Sequence, residues 1–431
     1  MDILLGIFNR KTGHGMHIRS ILNRVEKLKG FVYSSEKYVG SGDRPSLEVT
    51  VRPRKGCKGH CGSCGKKGPT YDTGDPRRFQ YIPIWGIMVF FIYCMRRIDC
   101  KKCGVTTEMI PWADGKHQLT TSFRWYLAHW AKKMSWSDVA FSFFTSWNSV
   151  YRSIEMAVEW GRKRVDLKGI KSVGVDEIQW RDGHKYLTLV YQIDQGARRL
   201  LWIGQDRTEA TFQKFFDWLG KKRSRRIEFI CSDMWKPYIN VIRLNATKAV
   251  HVLDRFHIMT HFSKAIDEIR AGEHRSLKDK GLETLKHSRW CLLKREENLT
   301  DKQRNRLNDL LAYNLKSIRA YLLKEDFQQF WDYVSPAWAE KFLDIWCCRT
   351  MRSRLDPMKK IAKMLRRYKP EILNYFRARK QISQGCVEGL NNKVKSVIKK
   401  SYGFSEFKTI EMALYQSLGD LPEPTLAHRF W

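Results

Sequence analysis

No stretch of this chain is apolar for long enough to cross a membrane. The most hydrophobic run, residues 81–95, spans 15 residues and is broken by Pro83 and Gly86, whereas a spanning helix needs about 20 apolar residues. Its composition predicts a buried strand instead. A secretory signal is also missing, because in MDILLGIFNRK an acid stands at position 2 and the basic residues follow the short apolar stretch. Both absences predict a cytosolic protein with no membrane partner. Internal repeats and low-complexity tracts are absent too, which excludes a solenoid. Acids are scarce: 45 Asp plus Glu stand against 79 Lys plus Arg, a formal net charge of +34 over 431 residues. That excess concentrates polyanions around the protein, and nucleic acid is the commonest of them. With 43% hydrophobic and 13% aromatic residues, the chain has material for several cores, so two to four folded domains are expected.

Eleven cysteines in a cytosolic chain suit metal better than disulfides. Cys61-Gly-Ser-Cys64 and Cys100-Lys-Lys-Cys103 are two C-x-x-C knuckles with 35 residues between them. A knuckle turns two thiolates toward one ion, and two knuckles close a tetrahedral site with no open position, which predicts structural rather than catalytic zinc. The gap leaves room for a strand pair. Cys57 is a spare thiol able to replace Cys61; Cys94, inside the apolar run, reads as a packed core thiol, and His60 as a solvated turn residue.

Residues 1–50 are mixed, with helical spacing over 18–28 and strand-like residues at 47–51. Residues 121–164 turn helical in three pieces. Ser135 followed by Asp138 reads as a helix start, residues 145–148 as a short turn, and a second helix is expected from about Ser149 through Val150, Ile154 and Val158. This is helix-turn-helix spacing, although a helical hairpin in any bundle shares it. It puts Tyr151 and Arg152 where a recognition helix meets DNA. Residues 171–230 change period: strands separated by turns at Asp182-Gly183 and Gln195-Gly196, a helix through Phe212 and Phe216, and a strand leading to Asp233. Residues 260–375 are helical by spacing, with Trp331, Trp338 and Trp346 suited to core packing or to base stacking. The link Ser383-Gln384-Gly385 follows, then helices over 387–400 and 404–418.

Three carboxylates stand out. Asp176 interrupts an apolar strand, Asp233 ends another, and both are costly there unless a cation sits between them. Glu388, Asn392 and Lys395 lie at i, i+4 and i+7, one helical face offering a metal ligand, an amide and a cation to one phosphate. The bland alternatives are a salt-bridged surface face and a helix cap at Asp233. Asp254 and His257 read as cap and packing residues of the next helix in preference to a fourth carboxylate and a proton shuttle, and Glu177 faces the other side of its strand from Asp176. No Ser or Tyr nucleophile motif stands out, nor the compact aromatic motifs of common RNA modules. A zinc-containing DNA-binding regulator without catalytic activity would need only the first 170 residues and leaves the acids unexplained.

From about residue 51 to 418 the chain resembles DDE transposases of bacterial insertion sequences, in particular the ISL-three family. The resemblance rests on the paired knuckles followed by Gly104, SWSDVAFSFFTSWNSV, VGVDEIQWRDGHKY, ICSDMWKPY, VHVLDRFHI, LLKREENLT and VEGLNNKVK followed by Gly403-Phe404. It implies a multi-domain α+β protein: a segment 1–50 of unassigned role, a zinc ribbon over 51–115, a helix-turn-helix over 116–168, and an RNase H-like α/β catalytic core over 169–259 and 376–431, interrupted by an all-helical insertion over 260–375. Asp176, Asp233 and Glu388 match the family's catalytic acids, and Lys395 the basic residue seven positions after the glutamate. By the same resemblance these acids hold two magnesium or manganese ions roughly 3.5–4 Å apart. The ions would cut the element ends, and the 3′-hydroxyls would then attack target DNA. The implied partners are the terminal inverted repeats, target DNA and a second copy of the chain in a synaptic homodimer, within the bacterial nucleoid. Gln384 departs from the family's usual Asn, and Cys57 is an extra thiol.

Overall fold

The structure, a computed structural model, describes residues 17–40, 45–115, 117–378, 385–401 and 403–425. Residues 1–16 and the Ser383-Gln384 part of the expected link lie outside the described residues. The chain forms two units, one from the described residues of Met1–Val165, Tyr415–Ser417 and Leu421–Trp431, the other from Asp166–Leu414 and Leu418–Asp420.

In the first unit, period-two alternation builds a five-stranded sheet. Its strands are β1 (Phe31–Val39), β2 (Ser46–Pro53), β3 (Thr70–Ile84), β4 (Ile87–Cys100) and β5 (Gly104–Thr107). They run in the order β1-β2-β4-β3, with β5 also on β4. The apolar run 81–95 is therefore not one strand. Trp85 and Gly86 take φ of 52° and 78° and turn the chain between β3 and β4, as a tight hairpin requires. Val49, Val51, Phe79, Tyr81, Val89, Phe91 and Tyr93 form one buried face, joined by Trp112 and by Leu22 of α1 (Ile18–Val25). Cys94 falls on the opposite face by the same alternation and is half-buried, so it is not the core thiol its neighbours suggested.

Three helices follow, each started by a hydroxyl that accepts a backbone N–H. Thr120 caps α2 (Thr121–Trp130), Ser135 caps α3 (Trp136–Ser142) and Ser146 caps α4 (Trp147–Arg162). Because Ser146 takes the cap, α4 begins two residues before the expected Ser149. Val150, Ile154 and Val158 form its buried stripe.

The second unit is organised by a sheet of β6 (Ser172–Arg181), β7 (Lys185–Asp194), β8 (Ala197–Gln205), β9 (Phe229–Ser232) and β10 (Val250–Leu253), in the order β8-β7-β6-β9-β10. The first three are antiparallel and the last two run parallel to β6. Val173 and Val175 pack on Phe212 and Phe215 of α5 (Glu209–Leu219) and on Tyr238 and Ile242 of α6 (Lys236–Asn245).

Beyond β10 every regular described element is helical. The principal ones are α7 (Arg255–Lys278), α8 (Asp301–Leu311), α9 (Lys316–Gln328), α10 (Pro336–Met351), α11 (Asp356–Arg367), α12 (Lys369–Arg377), α13 (Gly385–Lys400) and α14 (Phe407–Leu418). Helices α7 to α12 enclose their own core around Phe262, Phe327 and Leu365. Trp331 and Trp346 are buried in it, while Trp338 is 60% exposed. Among the described residues no helix is long and apolar enough to cross a membrane.

Candidate active site

Register brings the carboxylates together. Cys231 of β9 pairs with Gly174 of β6, so two residues further on Asp233 stands beside Asp176. Ser232 pairs with Leu253 of β10, so Asp254 stands on the far side of Asp233. Asp233 and Asp254 thus follow the carboxyl ends of β9 and β10, level with Asp176 in the middle of β6, where the parallel pairing of β6 with β9 stops, with neighbouring strands at the ~4.8 Å spacing of a sheet. In α/β sheets this is the edge where ligands bind.

Each carboxylate is held. Asp176 accepts the Glu177 backbone N–H (2.7 Å) through one oxygen and the Asn391 side-chain amide (2.5 Å) through the other. Asp233 accepts the Trp235 backbone N–H at 3.0 Å. Asp254, only 4% exposed, caps α7 by accepting the Phe256 N–H and pairs with His257 Nε2 at 3.3 Å. The cap reading of Asp254 and His257 therefore stands, yet His257 also bears electrostatically on Asp176 and Asp233. Burial is the main cause that raises all three acids above the usual carboxylate range, Asp254 to about 7. Protonation or a cation relieves such a group, and the chemistry of the donor set, oxygen-rich with one imidazole nearby, fits a hard divalent ion.

Glu177 points the other way, as strand alternation dictates. It binds Arg207 at 2.8 Å, while still bearing electrostatically on Asp233 and His257.

Helix α13 packs on β6 and β7. Its buried positions Val387, Leu390, Asn391 and Val394 recur at three- and four-residue spacing. Gly174 permits the close approach, since a Cβ there would lie 2.5 Å from Val387 Cγ2. Glu388, Asn392 and Lys395 share the exposed face of this helix. Among the described residues the cysteine quartet alone brings three or more metal-ligating side chains within 4.8 Å of one another, so Glu388 does not close a tight cluster with the aspartates. The residue missed in the sequence is Asn391. It accepts from Tyr191 Oη at 2.7 Å while donating to Asp176, and so ties the helix to the sheet. An amide on the apolar stripe of α13 was the available signal.

In the first unit, Cys61, Cys64, Cys100 and Cys103 gather as the knuckle spacing predicts, and Cys57 stands outside the group. Cys64 and Cys100 Sγ are 3.6 Å apart, close to the ~3.8 Å edge of a tetrahedron with 2.3 Å zinc–sulfur bonds. The quartet could hold zinc. A hydrogen bond with Thr106 draws the Cys61 thiol down to about 6, whereas the hydrogen bond with Cys64 leads the causes that push Cys103 up to about 12. His60 lies beside the knuckle, its Nδ1 3.0 Å from the Gly65 carbonyl oxygen. On α4, Tyr151 stacks on Trp147 with ring centres 5.7 Å apart, and Arg152 is exposed.

Comparison with known proteins gives the family. The model of the ISL-three family of DDE enzymes, described as "Transposase", matches residues 173–414, more than half of the chain. The chain belongs to that family. It is 27% identical over 350 residues to the transposase for insertion sequence element IS1001 of Bordetella parapertussis, covering 80% of this chain and 85% of that one. It is also 27% identical over 411 residues to the transposase for insertion sequence element IS1557 of Mycobacterium tuberculosis, covering 89% and 91%. A regulator confined to the first 170 residues is not favoured, because the matched region is the second unit.

Proposed function

We propose that this transposase acts through Asp176, Asp233 and Glu388 as a DDE site on an RNase H-like core, cutting the ends of an insertion sequence and joining the 3′-hydroxyl ends to target DNA. The observation that carries the reading is the register that sets Asp176, within β6, beside Asp233 at the end of β9, with the Glu388 helix packed on β6 through Gly174 and Asn391. Two magnesium or manganese ions held by these carboxylates would supply water activation and stabilisation of the leaving oxygen. The chain's own residues prepare that task. Asn391 and the Glu177 amide fix the orientation of Asp176, the Trp235 amide fixes Asp233, and Lys395, seven positions after Glu388, offers its charge to a phosphate.

The thiol quartet supports reading residues 51–115 as a zinc ribbon; in the same proposal residues 116–168 are a helix-turn-helix that meets the terminal inverted repeats through Tyr151 and Arg152, and residues 260–375 a helical insertion in the catalytic core. Asn392 and Lys395 contact the DNA near the cut, and two copies of the chain pair the element ends in the cytoplasm. The test is cleavage of duplexes that carry the native element ends. Wild-type protein should cut only with magnesium or manganese, and undiminished cleavage by Asp233→Ala protein would refute the assignment.

A further inference from the structure

We propose that the helices of the first unit carry a phosphate pocket, built on Arg124, Arg152, Lys163 and Arg164, that grips a backbone phosphate of bound DNA. The inference rests on the reading of α4 as a DNA-contacting helix, and it changes the role of Arg152 from reading a base edge to holding the backbone.

A cavity of about 600 Å³ opens between the residue-117 loop, α2 and α4. Arg152, Glu155, Met156 and Glu159 line it from one face of α4, and Lys163 and Arg164 from just past its end. Arg124 reaches it from α2 and is only 7% exposed. Buried arginines are ordinarily paired, yet among the described residues no carboxylate lies within ion-pair distance of Arg124. Its guanidinium spends one N–H on the Arg152 carbonyl oxygen at 3.2 Å, out of five that it carries.

The charges around Arg124 are of both signs, with cations in excess in the lining. Burial is the main cause that holds Arg124 below its usual range; Asp114 pulls upward more strongly than the neighbouring Arg152 pushes down, and Glu155 adds a smaller upward pull. His117 on the rim is likewise held low by burial, Arg124 and Arg152. Four permanent cations face Glu155 and Glu159 across this space. A planar guanidinium fork fixed in the wall and flexible cations at the rim suit a tetrahedral oxyanion, which accepts two parallel N–H bonds from one arginine and charge from the others. A phosphodiester meets that demand wherever the backbone passes.

The test measures duplex binding by the full chain across a salt series, with melting curves as a folding control. Arg152→Gln, at an exposed position, should lower affinity equally for all duplex sequences and reduce the slope of log affinity against log salt by about 0.9. Arg124→Lys should keep the slope and weaken affinity about tenfold, since charge is retained and the fork is lost. Inorganic phosphate should compete with duplex for wild-type protein and raise the titration midpoint of His117 in NMR spectra, and do neither in Arg152→Gln protein. An unchanged slope in Arg152→Gln, or a loss confined to one duplex sequence, overturns the proposal. Phosphate binding that leaves duplex affinity untouched overturns it as well, since it assigns the pocket to the free ion. Duplex binding by Asp233→Ala protein serves as reference, so failure of the pocket is distinguishable from failure of the catalytic assignment.

Discussion

The thiol quartet and the line of aspartates both bring together side chains of types that can ligate metal, and they are built in opposite ways. The four cysteines sit on two local turns, and all their sulfur atoms lie within 4.8 Å of one another. Asp176 and Asp233 meet only through strand pairing, and Glu388 arrives on a helix far along the chain. A closed site of four thiolates has no position for substrate and can only support the fold. An open set of carboxylates leaves room for phosphate and water. The two should therefore break differently.

The largest effect is expected at the open site. Glu388→Gln should lower end cleavage by at least about 10²-fold, beyond what the loss of a supporting residue costs, while the melting temperature stays near wild type because the side chain is exposed. Cleavage rates and melting curves on one preparation check both halves. The closed site should do the reverse: in protein with Cys100→Ser and Cys103→Ser, native mass spectrometry should find one zinc fewer per chain, and the first unit should lose its cooperative unfolding. Structural zinc contributes about 10–16 kcal/mol in finger peptides, which is enough to decide whether such a region folds.

How much of this contrast was legible in the sequence follows from the range of the forces involved. The knuckles announce themselves over four residues, and the cap at Ser135 over three. The Trp85-Gly86 turn went unread because the strand ends flanking it, residues 81–84 and 87–93, are apolar and no polar residue marks the reversal. Asp176 and Asp233 could be singled out as carboxylates in apolar strands, but their adjacency needed the parallel pairing of Cys231 with Gly174. Asn391 stayed hidden beside the more conspicuous Asn392, although its place on the stripe of Val387, Leu390 and Val394 sets it apart.

Smaller effects sharpen the comparison. Asn391→Leu preserves bulk on the buried stripe of α13 but frees Asp176, and cleavage should fall about 10–100-fold, with a shift in the magnesium concentration needed for half-maximal rate. The smallest effect concerns pH. Asp254 is raised to about 7 from an ordinary value near 4, so the folded, metal-free protein holds this proton more tightly than the unfolded chain. The stabilisation is complete below about pH 4 and is lost as the pH rises through about 7. Metal-free wild type should melt lower at pH 7.5 than at pH 5, and Asp254→Asn, which keeps a capping side chain, should flatten that difference.

The central claim is that Asp233 ligates the ion that drives cleavage, and ligand softness tests it most directly. Asp233→Cys replaces a hard oxygen by a thiolate, which magnesium accepts poorly and manganese tolerates better. Cleavage of native end duplexes by this variant should vanish in magnesium and return in part in manganese. Equal activity in the two metals, at the wild-type level, would contradict the account.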